Sequence, residues 1–276
     1  MTVAVVVDST SDIPADQRKQ LDIHVVPLQI MFGSEQFRDG IDLSNDEFYA
    51  RLEEGNVHPT SSQPSAGDFA EMYERLSKDH DGIISIHVGG KLSGTVRSAQ
   101  QGAEMTPGVP IRIIDSGSVS MGMGFLGIEA AQMAKAGKSL DEIATAVEAM
   151  TPRIVLWAVL DSTKYLERGG RIGKGRALLG TLLNVKPMIY IRGEVLPGER
   201  VRTHKKAIGR MVELASDEAP YKHLAAVYST GPEYAEELAD RLGAIHPRAQ
   251  IVVTQLTGVI GVHGGPGVLG VTGIKE

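Results

Sequence analysis

The sequence predicts an α/β protein with two domains: an N-terminal domain with a mainly parallel sheet flanked by helices, and a C-terminal α/β domain with a mixed sheet. Short apolar runs alternate with helix-compatible segments along the whole chain, the pattern of strand–loop–helix units. Four apolar runs end in a polar corner: Asp8-Ser9, Asp115-Ser116, Asp161-Ser162 and Ser229-Thr230. The pair Thr151-Pro152 breaks a helix, so we expect domains at 1–152 and 153–276.

Composition narrows the class of protein. Of 276 residues, 42% are hydrophobic and 22% are charged, the mix of a globular chain that can bury a large core. The net charge of −6 argues against general nucleic-acid binding, which needs a basic face to displace counterions. Cysteine is absent, which excludes disulfides, thiolate catalysis and cysteine-ligated zinc, and fits a reducing compartment.

The N-terminus has no basic leader and meets Asp8 after a few apolar residues, so it predicts a strand and not a signal peptide. No uninterrupted apolar run is long enough to span a bilayer. We therefore expect a cytoplasmic protein without a transmembrane segment.

The first half predicts alternating strands and helices. Its strands are expected at Val3–Val7, Ile23–Ile30, Ile83–His87 and Ile111–Ile114. Its helices are expected after Pro14 and at Asp46–Glu54, Ala66–Lys78, Val96–Glu104, Ser120–Ala136 and Leu140–Met150. Capping boxes are expected at Ser44 and Ser139, and Ser65 is expected to cap a third helix. The segment Ser120–Ala136 is apolar nearly all round, which indicates a buried helix, and its glycines suggest close packing or room for a ligand.

The second half predicts a mixed set of elements. Strands are expected at Ile154–Leu160, Met188–Ile191, Leu224–Tyr228 and Ile251–Gln255. Another strand is expected directly after the Arg192-Gly-Glu turn, where it forms a hairpin with Met188–Ile191. Helices are expected at Ala177–Asn184 and at Pro232–Gly243. A further helix is expected to follow Val201–Lys206 and to reach about Ser216. The end of the chain is glycine-rich and apolar around His263.

Three polar loops are candidates for chemistry: Thr60–Ser65, Leu92–Thr95 and Val262–Gly267. Parallel sheets place ligand sites at the carboxyl ends of their strands. The loop around Ser93 joins an apolar run to a helix and has the glycines and hydroxyls of an anion site. Turn chemistry and helix capping are the alternative for each loop. The common nucleotide, metalloprotease and hydrolase motifs are missing.

Six motifs occur in order along nearly the whole chain: Val7-Asp-Ser-Thr-Ser-Asp-Ile-Pro14, Ser-Gln-Pro-Ser, Leu-Ser-Gly-Thr, Ile-Ile-Asp-Ser, Leu166-Glu-Arg-Gly-Gly-Arg-Ile172 and His-Gly-Gly-Pro-Gly. Together they resemble the DegV family. The resemblance implies a two-domain α/β protein that holds one long-chain fatty acid between its domains, with the acyl tail in a buried tunnel. It also implies that a separate fatty acid kinase, in some members, phosphorylates the bound carboxylate, which would serve phospholipid synthesis.

By the resemblance, Ser93 and His263 match the residues that bind the head group. The family's third position is usually a threonine and falls here on Ser61, with Ser62 as a rival. The Gly94 N–H is expected to add a donor to the carboxylate. Arg171 matches a position on the kinase-facing surface; its alternative is a solvated or loop-packing arginine. No catalytic residue, metal or cofactor is expected, and the fatty acid is the ligand.

Burial of an acyl tail stabilises a complex by about 0.8 kcal/mol per CH₂, so the tail can supply most of the affinity. Two hydroxyls, a backbone N–H and an imidazole, protonated or not, would offset the penalty for burying the carboxylate. Two other functions stay open at this point. Ser93 and His263 could act as nucleophile and base of an acyl hydrolase or acyltransferase. His263 could instead serve a kinase or phosphocarrier, although no nucleotide loop is evident.

Overall fold

A computed structural model describes residues 2–178 and 185–276. Its strands are β1 Val3–Asp8, β2 Ile23–Val26, β3 Gln29–Phe32, β4 Glu35–Arg38, β5 Thr60–Ser62, β6 Gly82–His87, β7 Ile111–Asp115, β8 Ile154–Val159, β9 Lys186–Ile191, β10 Val195–Val201, β11 Tyr221–Tyr228, β12 Val252–Gln255 and β13 Leu269–Lys275. Its α-helices are α1 Ala15–Leu21, α2 Asn45–Glu54, α3 Ala66–Leu76, α4 Thr95–Glu104, α5 Met121–Lys135, α6 Leu140–Met150, α7 Lys164–Arg168, α8 His204–Glu218, α9 Pro232–Leu242 and α10 Gly258–Gly264.

Short 3₁₀ turns lie at Ser9–Ser11, Thr151–Arg153, Gly173–Leu178 and Arg248–Gln250. The helix predicted at Ala177–Asn184 falls almost entirely outside the described residues. Within them, no helix combines the length and the apolar character that a membrane span requires.

The first half of the chain builds a parallel sheet with strand order β2-β1-β6-β7. Because all its strand pairs are parallel, the strands end at the same edge. One face of the sheet is covered by α3 and α4, which bury Phe69 and Tyr73. The other face packs on α5 and α6. Both faces are covered, which explains the nearly continuous apolar character of β1 and β6.

The second half builds a sheet with strand order β10-β9-β8-β13-β11-β12. Its β11–β12 pair is parallel, and its other pairs are antiparallel. Helices α8 and α9 pack on one face. The predicted α/β fold class, with a parallel sheet followed by a mixed sheet, is confirmed.

Helix α5 lies between the two sheets and is buried from Met121 to Ala131. A Cβ at Gly122 would lie 2.9 Å from Ile154 Cγ2 in the second sheet, and one at Gly127 would lie 2.9 Å from Val7 Cγ1 in the first. The glycines therefore allow both sheets to approach one helix closely, as the buried-helix prediction proposed. The buried core that results is continuous across both halves of the chain.

The strand predicted at Ile23–Ile30 is wrong as a single element. It is divided into β2, which joins the parallel sheet, and β3, which lies in a separate antiparallel sheet of order β4-β3-β5. Pro27 stands between them and cannot donate a ladder hydrogen bond, so the chain leaves one sheet there and enters another. The loop predicted around Thr60 likewise contains a short strand, because β5 pairs with β3.

Helix α10, near the end of the chain, packs on this small sheet and on α2 of the first half. A Cβ at Gly258 would lie 2.7 Å from Ile30 Cδ1, and one at Gly261 would lie 2.5 Å from Phe48 Cε1. Only glycine lets the helix backbone come this near to the aromatic cluster. The packing brings His263, in the last turn of α10, beside β5.

Candidate functional site: an apolar cavity with a polar mouth

A cavity lies between the two sheets and contains about 930 Å³ of space between atoms, including its opening to solvent. Its walls are mainly aliphatic, with side chains such as Val88, Leu156, Ala158, Ile189 and Val227. The second sheet supplies one wall, and the segments after the carboxyl ends of β1, β6 and β7 supply another. Its shape and lining suit an apolar ligand.

Polar residues from three distant segments line the same cavity: Ser61, Ser62 and Gln63 from the β5 segment, Ser93 from the loop before α4, and His263 from α10. Ser61 Oγ lies 2.8 Å from His263 Nε2, a hydrogen bond that joins residues 202 positions apart. Side chains alternate along a strand, so Ser61 and Ser62 point to opposite faces of β5. Of these rivals, Ser61 is the one bonded to the imidazole.

Ser93 lies in the loop that leads into α4, as predicted. Its Oγ is 2.8 Å from Thr95 Oγ1. Gly94 is the N-cap of α4 and lies beside the cavity, not in its lining. A Cβ at Gly94 would lie 2.3 Å from Gln63 Oε1, so an alanine there would displace the Gln63 amide.

Arg171 lines the cavity with its guanidinium close to the polar residues, and the residue is exposed. Its Nη1 donates to the Gly169 carbonyl at 2.8 Å, and its Nε donates to the Leu92 carbonyl at 3.2 Å. The second bond crosses from one half of the chain to the other, directly beside Ser93. A Cβ at Gly169 would lie 2.1 Å from His263 Nδ1, so this loop covers the imidazole.

The His263 imidazole is neutral near pH 7. Burial, the positive charge of Arg171 and a smaller effect of His58 together lower the pKa of His263 to about 4. The sequence left protonation of this group open, and the structure decides against it for the protein without ligand. Within the described residues, His263 Nδ1 is shielded from solvent and has no hydrogen-bond partner.

A nucleophile–base pair of Ser93 and His263 is not the arrangement observed, because Ser93 bonds to Thr95 and His263 bonds to Ser61. A serine–histidine–aspartate chain does exist elsewhere. Ser85 Oγ lies 2.7 Å from His87 Nε2, and His87 Nδ1 lies 3.2 Å from Asp8 Oδ2. All three residues are fully buried at the end of the parallel sheet, so no substrate reaches them. These hydrogen bonds satisfy the buried polar groups of the three side chains within the core.

Sequence reasoning missed several lining residues. Gln63, in the Ser-Gln-Pro-Ser motif, is one of them. Thr10, which follows β1, and Ser120, which precedes α5, also line the cavity. The aliphatic walls could not be assigned, because a cavity-lining valine and a core valine have the same sequence signature.

The chain matches the DegV family profile, described as "Uncharacterised protein, DegV family", over residues 2–276. It is 36% identical over 276 residues to Protein DegV of Bacillus subtilis, covering 98% of both chains. It is 39% identical over 279 residues to a DegV domain-containing protein of Streptomyces coelicolor, covering 98% of this chain and 97% of that one. The chain belongs to the DegV family.

Solved DegV family structures share the fold. A DegV family protein from Thermus thermophilus, whose structure is described as fatty acid binding, superposes with a TM-score of 0.93 at 33% identity, with 100% of both chains covered. The structure of DegV from Bacillus subtilis, described as a fatty acid binding protein, has a TM-score of 0.91 at 34% identity, with 100% of both chains covered. The two-sheet architecture described above is therefore that of the DegV family.

Proposed function

We propose that the protein binds one long-chain fatty acid, with its acyl chain in the cavity between the sheets and its carboxylate at Ser61, Ser93 and His263. The observation that carries the proposal is the Ser61–His263 hydrogen bond in the lining of a cavity that is otherwise mainly aliphatic. The fatty acid binding described for the Thermus thermophilus and Bacillus subtilis relatives supports the same ligand class.

The energetics favour a ligand with a long tail. Each buried methylene contributes about 0.8 kcal/mol, so ten of them contribute about 8 kcal/mol before the entropy cost of association. The hydroxyls of Ser61 and Ser93 then need only to orient the carboxylate and satisfy its oxygens. The proposal keeps two further donors of lesser weight: Ser62, which lines the cavity but points to the opposite face of β5 from Ser61, and the N–H of Gly94, which lies beside the lining.

The neutral imidazole has a specific role in this arrangement. A bound carboxylate is an opposite charge close to His263 and raises the pKa of its imidazole. We therefore expect His263 to gain proton occupancy when the ligand binds, which strengthens its hydrogen bonds.

The family resemblance extends the proposal. The carboxylate would be presented to a separate fatty acid kinase, so that the protein is a carrier and not an enzyme, acting in the cytoplasm to supply phospholipid synthesis. Arg171 supports this use, because it is exposed and lies beside the polar mouth of the cavity. We further propose a domain boundary at residue 152, with domains 1–152 and 153–276 and the ligand between them.

The test is denaturing extraction of the purified protein followed by mass spectrometry of the extract. We expect a long-chain fatty acid, and we expect the delipidated protein to take up labelled oleic acid. Ser93→Ala and His263→Ala should weaken this uptake while the thermal unfolding transition remains cooperative. A folded protein that neither carries nor takes up fatty acid would overturn the proposal. A covalent adduct of Ser93 with a fluorophosphonate would favour the hydrolase instead.

A further inference from the structure

A second cavity contains two buried carboxyl groups that the proposed function does not use. Asp12 follows β1 and Asp39 follows β4, and they are 4% and 2% exposed. Arg18 and Thr257 line the same cavity. In the part of the chain that the structure describes, Asp12 Oδ2 and both Asp39 oxygens are shielded from solvent and make no hydrogen bond of normal geometry. We call Asp12 and Asp39 the carboxyl pair.

The carboxyl pair supports the beginning of α10. The Thr257 N–H donates to Asp12 Oδ1 at 2.9 Å. Asp39 faces the N–H groups of Gly258 and Val259. Both aspartates belong to the first half of the chain, whereas α10 belongs to the second. The helix that carries His263 therefore rests at its start on two carboxyl groups from the opposite half.

The carboxyl pair is also next to the acyl cavity. Ser120 lines the acyl cavity, and its hydroxyl faces the Asp12 carboxyl. Val259 and Ile260, in the first turn of α10, line the acyl cavity from the same side. A displacement at the start of α10 would therefore change the wall of the acyl cavity as well as the position of His263.

Burial of the carboxyl pair favours retention of a proton. The pKa of Asp12 is raised to about 7, mainly by burial and to a smaller extent by the charge of Asp39, while hydrogen bonding to Ser120 and Thr257 acts in the opposite direction. Burial likewise raises the pKa of Asp39 to about 6. From α1, the Arg18 guanidinium faces both carboxyl groups. From α2, Tyr49 faces them too, and burial raises its pKa so that it stays neutral. Ionisation of both aspartates places two negative charges beside one arginine.

We infer that Asp12 and Asp39 are positioning residues that hold α10, and with it His263, in the binding arrangement while the carboxyl pair retains a proton. Affinity for fatty acid then falls as the pair ionises. This inference rests on the proposed function. Loss of the proton leaves buried negative charges that repel each other and favour solvation. Burial outweighs the hydrogen bonds that the carboxylates accept from the start of α10, so ionisation weakens the support of this helix. For a group with a pKa near 7, the protonated fraction falls about tenfold between about pH 6 and about pH 8.

The test is the dissociation constant for labelled oleic acid, measured from about pH 6 to about pH 8 with delipidated protein. We expect the wild type to lose about tenfold in affinity across this range. Asp12→Asn is a neutral mimic of the protonated state and should lose less affinity than the wild type as pH rises, because any proton uptake at His263 on binding is common to both proteins. The control Asp217→Asn, at an exposed position of α8, should follow the wild type. Because every protein is measured with the same ligand, the ionisation of the free acid cancels in the comparison.

Asp39→Asn gives a second measurement if Asp12→Asn does not fold, and it should also flatten the pH profile. Asp12→Ala should bind weakly at every pH, because it removes the acceptor of the Thr257 N–H. Asparagine variants that keep the wild-type pH profile would overturn the inference while leaving fatty acid binding intact. Absence of binding by the wild type at about pH 6 would instead overturn the proposed function.

Discussion

The packing of α10 against α2 can be tested by adding one methyl group, with Gly261→Ala. The new Cβ would lie 2.5 Å from Phe48 Cε1 and 2.8 Å from Tyr49 Oη. Phe48 and Tyr49 are 1% and 3% exposed, so neither ring can move aside into solvent. Overpacking of a core costs about 1–3 kcal/mol, and replacing a helical glycine by alanine recovers about 0.5–1 kcal/mol. We expect a net loss of about 1–2 kcal/mol in the free energy of unfolding.

The assay is urea unfolding of delipidated protein, followed by measurement of fatty acid affinity. Gly209→Ala is the matched control, because Gly209 lies inside α8 and a Cβ there would meet no atom within 4 Å. This variant should be more stable than the wild type by about 0.5–1 kcal/mol and should bind equally well. Gly261→Ala should also bind more weakly, because α10 must shift and separates His263 from Ser61. Wild-type stability and affinity for Gly261→Ala would refute this account of how α10 is held.

Three further predictions concern the polar groups. Ser61→Ala removes the partner of His263 Nε2 and should weaken fatty acid binding at a cost of about 1–3 kcal/mol, whereas Ser61→Thr keeps the hydroxyl and should bind like the wild type in the same titration. The pKa of His263 is lower in the folded protein than the unfolded value near 6.5, so its contribution to stability is lost as pH falls from about 6.5 to about 4. Urea unfolding at several pH values should show His263→Gln lacking this loss, and an identical pH profile would contradict the assignment. Glu129 accepts hydrogen bonds from Lys222 at 2.7 Å and from His223 at 2.6 Å, so Glu129→Gln should reduce the free energy of unfolding by about 2 kcal/mol. The control Glu237→Gln removes one partner of an exposed ion pair and should change this free energy by less than about 1 kcal/mol. Equal effects of the two substitutions would argue against a stabilising contact between the halves at Glu129.

Local chemistry was predictable where neighbouring residues decide it. The capping boxes at Ser44 and Ser139 form as expected, and Ser65 forms one as well. In each, a serine and an acidic residue three positions later satisfy the first N–H groups of the helix, and this needs no tertiary partner. The buried helix around Gly124 was equally evident, because a segment that is apolar on every side has no solvated face.

Elements that depend on distant partners were not predictable. Strand β13 contains Gly270 and Gly273, which weaken an isolated strand, yet it lies in the interior of the second sheet between β8 and β11. A Cβ at Gly273 would lie 2.5 Å from the His223 carbonyl oxygen, so the glycine serves close strand packing. Helix α10 is similarly poor in helix-forming residues, and its contacts with α2 and β3 compensate.

The sequence by itself determined the α/β class, the family and the three segments that contribute hydroxyl and imidazole groups, because these follow from periodicity and from ordered motifs. Tertiary structure decided which serine bonds His263, since β5 exists only through its pairing with β3 and presents Ser61 to α10. It also decided that the imidazole is neutral and that a carboxyl pair lies under the start of its helix. Burial and nearby charges set the pKa values of His263 and of the carboxyl pair. Both effects arise only when residues far apart in the chain are brought together.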